Sequence, residues 1–334
     1  MGRRCKNNKI IMYKTLEEKA QVFNQKTIKS IKELNSLIKE IGKNPKLRFR
    51  GVSKSEYCML TSLQRKCIDL NNSQKEYFSQ ILKKVKELPE LDSFFKKKGI
   101  RPNDISYMAL MQHYGLPTPF LDFSTDINIA LSFAAENVSL TPVNKETDDY
   151  VSLYVIDIDG EEELKNSLQI LLNNDMETAV NYTTTLAPSI DVSLLYEIDK
   201  FVTWDDMKNI ELLFIEYQLI APSVVTLSDE ALDLSNPNLC KQKGCFILNL
   251  YDENTPLEKN WNMRLPQSIN KYWENFNCQN LPFKGFHTKC KIRCYDISKK
   301  AIKEWANRNK KESLYDISEE SVIIKEKLSS CLPK

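Results

Sequence analysis

The sequence predicts an α+β fold in a single domain, with a mixed or antiparallel sheet core flanked by helices. Stretches with strand-like alternation or runs of β-branched and aromatic residues recur near 47–52, 120–123, 150–158, 244–251 and 290–297. Apolar residues at helical spacing fill much of the chain between and around them. No internal repeat and no composition break marks a linker, so residues 21–330 read as one domain behind a tail of residues 1–20.

Taken in order, residues 14–41 read as helical, with Ile31, Leu34, Ile38 and Ile41 on one stripe and Gly42 as the stop. The strand after Pro45 sends Leu47, Phe49 and Gly51 one way and Arg48 and Arg50 the other. Gly51 weakens that strand unless another backbone or a ligand comes close. Arg50 beside it offers a rigid two-pronged fork for a phosphate or carboxylate. The alternative is a structural ion pair with Asp122, which spacing alone favours. Ser73 and Glu76 have capping-box spacing for a helix that Pro89 ends.

The central stretch holds the densest polar pattern. Asp104 or Asn103 caps a helix bearing Ile105, Met108, Ala109 and Gln112 on one face, and Gly115 stops it. Pro117 and Pro119 keep the next residues extended into a strand at 120–123. Ile127, Ala130, Leu131 and Ala134 then mark a second helix, whose alanines let it sit close against a sheet. Gln112, His113, Asp122, Ser124 and Thr125 gather at the joints of this unit. Polar groups there must find partners or serve a ligand, since a buried unpaired one costs about 1–3 kcal/mol.

Beyond a polar loop at 140–149, residues 150–158 form a strand closed by Asp159 and Gly160, and residues 161–173 suggest a helix. Short elements are expected near Val192 to Leu195 and Leu212 to Tyr217. Strands at 244–251 and 290–297 are followed by helices from Ser298 and near Glu319 to Leu328.

The net charge of +2 gives no bulk signal for nucleic-acid binding. No signal peptide and no run long enough to cross a bilayer is seen, so the expectation is a cytoplasmic protein without a membrane partner. Nine scattered cysteines do not resemble a disulfide framework. Cys240 with Cys245 and Cys290 with Cys294 lack the usual zinc-knuckle spacing, so reduced thiols and no metal are expected.

Phe49-Arg50-Gly51, then Gln112-His113-Tyr114-Gly115-Leu116-Pro117-Thr118 with Leu121-Asp122, resemble the FRG domain family, named for its Phe-Arg-Gly signature. Gln242-x-Gly244-x-Phe246 looks like the late motif of that family, and Leu314-Tyr315-Asp316 is similar to its ending without the proline. Asn238 stands where the family usually has arginine, and Pro119 and Phe120 replace its usual pair before Leu121.

A second resemblance supplies chemistry. Phe49-Arg50-Gly51, and Phe123-Ser124-Thr125 leading into a helix, look like two of the three elements of arginine-serine-glutamate ADP-ribosyltransferases. That likeness implies a split sheet and an NAD-using ADP-ribosyltransferase or NAD glycohydrolase, a toxin or defence effector with a macromolecular target. The alternative is a non-catalytic module of the same fold that binds a nucleotide or another anionic ligand. Arg50, Gly51, Gln112, His113, Tyr114, Asp122, Ser124 and Thr125 are then expected to bind the cofactor. The third element calls for a glutamate that stabilises positive charge on the departing sugar. By order along the chain Gln242 stands nearest that place, and Glu211 or Glu216 are the carboxylates that could serve instead.

Overall fold

The computed structural model describes residues 12–70, 73–97, 104–140, 145–157, 224–225, 242–249, 254–258, 292–309 and 319–332. Among the described residues, seven strands make one mixed sheet in the order β1-β7-β4-β2-β3-β6-β5. They are β1 (Asn24–Ile28), β2 (Leu47–Val52), β3 (Phe120–Ser124), β4 (Tyr150–Asp157), β5 (Val224–Val225), β6 (Gly244–Leu248) and β7 (Arg293–Ser298). β1 and β7 run parallel, and the other described pairs are antiparallel. The fold is therefore α+β with a mixed sheet. The sheet holds together by a thread at its middle: β2 meets β3 through the single pair Phe49 and Ser124, whereas β2 and β4 pair at every position from Leu47 to Val52.

The helices around the sheet show where local signals were overridden. The segment 14–41 is not one helix but α1 (Leu16–Val22), strand β1 and α2 (Ile31–Ile41). Thr15 Oγ1 accepts from the Glu18 amide at 3.1 Å and Ser30 Oγ from the Glu33 amide at 3.3 Å, so each helix has its own N-cap. Between them, Asn24, Gln25 and Lys26 are extended because they pair with β7, a partner far along the chain. The fold also begins before residue 21, because Lys19 in α1 is fully buried and bonded to Asp296 of β7 at 2.5 Å.

The next helices are α3 (Ser62–Leu70), α4 (Gln74–Lys86), α5 (Pro89–Lys97) and α6 (Asp104–His113). Ser73 sits at the N-cap of α4 without a side-chain cap bond. The reciprocal capping box is instead at α3, where the Gln64 amide donates to Thr61 Oγ1 at 3.0 Å and the Thr61 amide to Gln64 Oε1 at 2.9 Å. Pro89 does not end α4, which stops at Lys86; it opens α5, where a missing amide proton costs nothing. The chain finishes its described helices with α7 (Ile127–Ala135), α8 (Lys299–Arg308) and α9 (Glu319–Ser330).

Three cores position the site. On one face, α2, α7 and α8 bring Leu34, Ile127, Ala130, Leu131 and Trp305 onto Leu47, Phe49, Leu153 and Val155. Each buried aliphatic side chain contributes about 1.5–3 kcal/mol. Beside β3 and β6, helices α3 to α6 and α9 surround Phe120 and Phe246, whose rings stack 4.7 Å apart and 7° from parallel. On the other side of β4, Tyr154 and Ile156 alternate with that first core and join Phe23, Met59, Leu121, Phe123 and Ile247. Cys245 and Cys294 are buried free thiols in these strands, while Cys240 and Cys290 lie outside the described residues. The elements expected at 161–173, 192–195 and 212–217 also lie outside them. Among the described residues, no helix is long and apolar enough to cross a membrane.

Candidate functional site

The thin junction between β2 and β3 opens into a cleft of about 610 Å3. Arg50 lies at its floor. Strand alternation turns the side chain away from the α7 face, because Leu47 and Phe49 already occupy that side. Its Nη1 donates to the Asp122 carbonyl at 2.6 Å, so the guanidinium closes the gap where the backbone ladder fails. Its Nε is buried without a partner among the described residues. The Phe123 ring lies 6.0 Å from its Cζ. Burial lowers the proton affinity of the guanidinium, against the opposing pull of the Asp122 charge and then of Tyr154.

The ion pair considered for Arg50 is not formed. The Asp122 carboxylate accepts through Oδ2 from Gln112 Nε2 at 2.7 Å, and Arg50 reaches only the backbone oxygen of that residue. Gln112 is itself held by the buried Thr118 hydroxyl, which donates to its Oε1. That contact fixes which end of the amide faces the carboxylate. Asp122 is open to the water of the cleft, yet protein surrounds it closely. This burial raises its carboxyl above the ordinary range, opposed first by Arg50 and then by the Gln112 bond.

The expected site residues separate into three groups. Arg50, Gly51, Gln112, His113, Asp122, Ser124 and Gln242 all line the one cleft. Tyr114 and Thr125 are not among its lining residues. Tyr114 packs against the helical core, its ring 4.6 Å from the His113 ring, and the Thr125 hydroxyl donates to the Lys243 carbonyl at 3.3 Å. Glu211 and Glu216 lie outside the described residues.

Two of the lining residues are occupied in holding the fold. Ser124 Oγ donates to the Gln242 carbonyl at 2.7 Å and accepts from the Asp126 amide at 3.0 Å, which ties β3 to the start of β6 and to the cap of α7. Gly51 serves the close approach of another backbone: a Cβ there would lie 1.8 Å from the Ala130 carbonyl oxygen of α7.

Sequence reasoning missed Arg65. It stands in the first turn of α3, donates Nη1 to the Leu60 carbonyl at 2.6 Å and lines the cleft. Arg65 is exposed by area, yet the protein around its guanidinium and then the nearby Arg50 charge lower its proton affinity. No motif carries this residue. What places it is the start of α3, where the Leu63 amide donates to the Thr118 carbonyl at 3.1 Å and Ser62 Oγ accepts from the Thr118 amide at 3.0 Å. Tyr57, 37% exposed, stands in the lining, its carbonyl bonded by Tyr154 Oη at 3.0 Å.

Behind this wall lies Glu258, fully buried, which accepts from Tyr13 Oη at 2.7 Å and from the Met59 amide at 3.1 Å. Desolvation raises its carboxyl above the usual range despite those bonds. The unfolded chain therefore ionises this group at lower pH than the folded one does. Its contribution is most favourable below the unfolded value, about 4.3, and declines as pH rises to the folded value. Glu258→Gln keeps an acceptor for Tyr13 and Met59 and should remove that decline. Urea denaturation of both proteins from acid to neutral pH would reveal it, and parallel profiles would contradict it.

One comparison bears on the site. Residues 45–141, from the loop before β2 past the end of α7, match the FRG domain. The matched stretch carries Arg50, Arg65, Gln112, Asp122 and Ser124. No curated protein and no solved structure matches the chain.

Proposed function

We propose that the cleft binds NAD and cleaves its nicotinamide–ribose bond, as an ADP-ribosyltransferase or NAD glycohydrolase of toxin or defence type. The observation that carries this reading is Arg50: a guanidinium on the floor of the cleft, oriented by a backbone carbonyl, with a buried Nε left over and no ion pair among the described residues. Such a group suits a phosphate, because the planar fork can bond two oxygens at once. The cleft also falls within the range of about 300–1,000 Å3 usual for small-molecule sites.

NAD would supply the bond that breaks, nicotinamide leaving with the C–N electron pair and the sugar carbon passing to water or to a nucleophile on a macromolecular target. On this reading Arg50 holds a phosphate. Asp122 sets a carboxylate near the developing positive charge, and Gln112 with Thr118 fixes the direction in which that carboxylate faces. The second reading, a nucleotide-binding module without turnover, draws on Gln242. It lines the cleft, by order along the chain it stands nearest the place where the resemblance calls for a glutamate, and an amide carries no charge.

Thermal melts with and without NAD test the binding step. NAD should raise the melting temperature of the wild type. Arg50→Lys should weaken that shift, and Arg50→Ala should abolish it. Without NAD the alanine variant should melt modestly lower, since it loses one charge-assisted bond of about 1.5–3 kcal/mol. A wild type indifferent to NAD would sink the proposal.

A further inference from the structure

We infer that Arg50 and Arg65 together form a diphosphate subsite, in which each guanidinium takes one of two linked phosphate groups. The inference names the substrate class of the cleft, and it rests on the reading above only for the rest of the NAD molecule. Three observations carry it. Both side chains line the same cleft from different elements, strand β2 and helix α3. Each is pinned through Nη1 to a main-chain carbonyl, Asp122 for Arg50 and Leu60 for Arg65, both at 2.6 Å. A guanidinium has five N–H donors, so four remain on each after its anchor is made. Neither is neutralised by a carboxylate within bonding reach among the described residues, and the Asp122 carboxylate is engaged by Gln112.

This arrangement is costly without a ligand. Two like charges share one partly desolvated space, and Arg65 stands in the first turn of a helix, the end that favours anions. Lone structural arginines would not need to be oriented so carefully and left unpaired. A single phosphate can satisfy one fork, whereas a diphosphate brings an anionic group to each and relieves their mutual repulsion. Asp122 adds selectivity, because a phosphate displaced toward it meets a carboxylate. The Arg50 Nε, buried without a partner among the described residues, leaves that fork further short of acceptors.

Isothermal titration at pH 7.5 with the full chain tests the inference, using inorganic pyrophosphate, inorganic phosphate and NAD as titrants. Wild type should bind pyrophosphate at least about tenfold more tightly than phosphate. Arg65→Gln should erase that preference, so that pyrophosphate binds no more tightly than phosphate does. Arg65→Lys keeps the charge without the fork, should melt like wild type, and should still lose several-fold in pyrophosphate affinity. Equal wild-type affinity for the two anions would overturn the inference, as would unchanged pyrophosphate binding in the lysine variant. Pyrophosphate behaving as expected while NAD fails to bind would support the subsite and overturn the NAD reading alone.

Discussion

Gly51→Ala should leave little folded protein. A β-carbon at residue 51 would meet the Ala130 carbonyl oxygen at 1.8 Å, its carbon at 2.7 Å and the Ala134 amide nitrogen at 2.9 Å. All three belong to the backbone of α7, so no rotamer change relieves the clash. The helix would have to lift from β2, taking Ile127, Ala130, Leu131 and Ala134 out of a core they share with Leu47 and Phe49. Overpacking a core costs about 1–3 kcal/mol when side chains can shift, and more when they cannot. With a total stability of about 5–15 kcal/mol, a loss beyond 3 kcal/mol should show as poor soluble yield and a much lower melting temperature. Gly115→Ala is the useful comparison. Its φ of +80° strains an alanine, but nothing lies within 4 Å of the added carbon, so about 1–2 kcal/mol is expected. A Gly51→Ala protein that melted like wild type would contradict the contact between α7 and β2.

Lys19→Ala should be nearly as damaging. The ammonium and the Asp296 carboxylate are both fully buried and 2.5 Å apart, with Ser152 Oγ accepting from Lys19 Nζ at 2.6 Å. Gln25 Nε2 donates to the other carboxylate oxygen at 2.5 Å, and the ammonium lies 5.2 Å above the Tyr154 ring. Removing the lysine leaves a buried carboxylate without its cation, which costs about 3–5 kcal/mol. The double variant Lys19→Met with Asp296→Leu should recover much of that loss, because neither charge is then stranded. Denaturant unfolding of wild type, Lys19→Met, Asp296→Leu and the double variant measures the coupling. Additive effects of the two single changes would show that the pair does not act as a unit.

The contrast between these two positions explains what could be read from the chain. The Gly51 packing was half visible: a glycine in a strand calls for a close neighbour, and the alanines of α7 were marked as the face that sits near a sheet. Which of ligand or helix fills the space depends on tertiary placement. The Lys19 pair was invisible, since a lysine in a short polar helix reads as surface, and its partner lies 277 residues away. Cap signals at Thr15 and Ser30 were present, with Glu18 and Glu33 three residues on, but the apolar stripe from Ile31 onward carried one helix across both. The polar strand between them has no period of its own and exists through pairing with β7. At the site, Arg50, Gln112 and Asp122 were found because short motifs with a chemical role mark them. Arg65 was not, because its place in the cleft comes from how α3 docks on Thr118, and neither residue type nor spacing records that docking.

The most direct test of the NAD-cleaving cleft is nicotinamide release, followed by chromatography after incubating NAD with purified wild type and with Arg50→Ala. Wild type should release nicotinamide in step with NAD loss, and the alanine variant should do so at least about tenfold more slowly, since the group holding a phosphate is gone. Intact NAD in the presence of wild-type protein, or equal release by the two proteins, would contradict it.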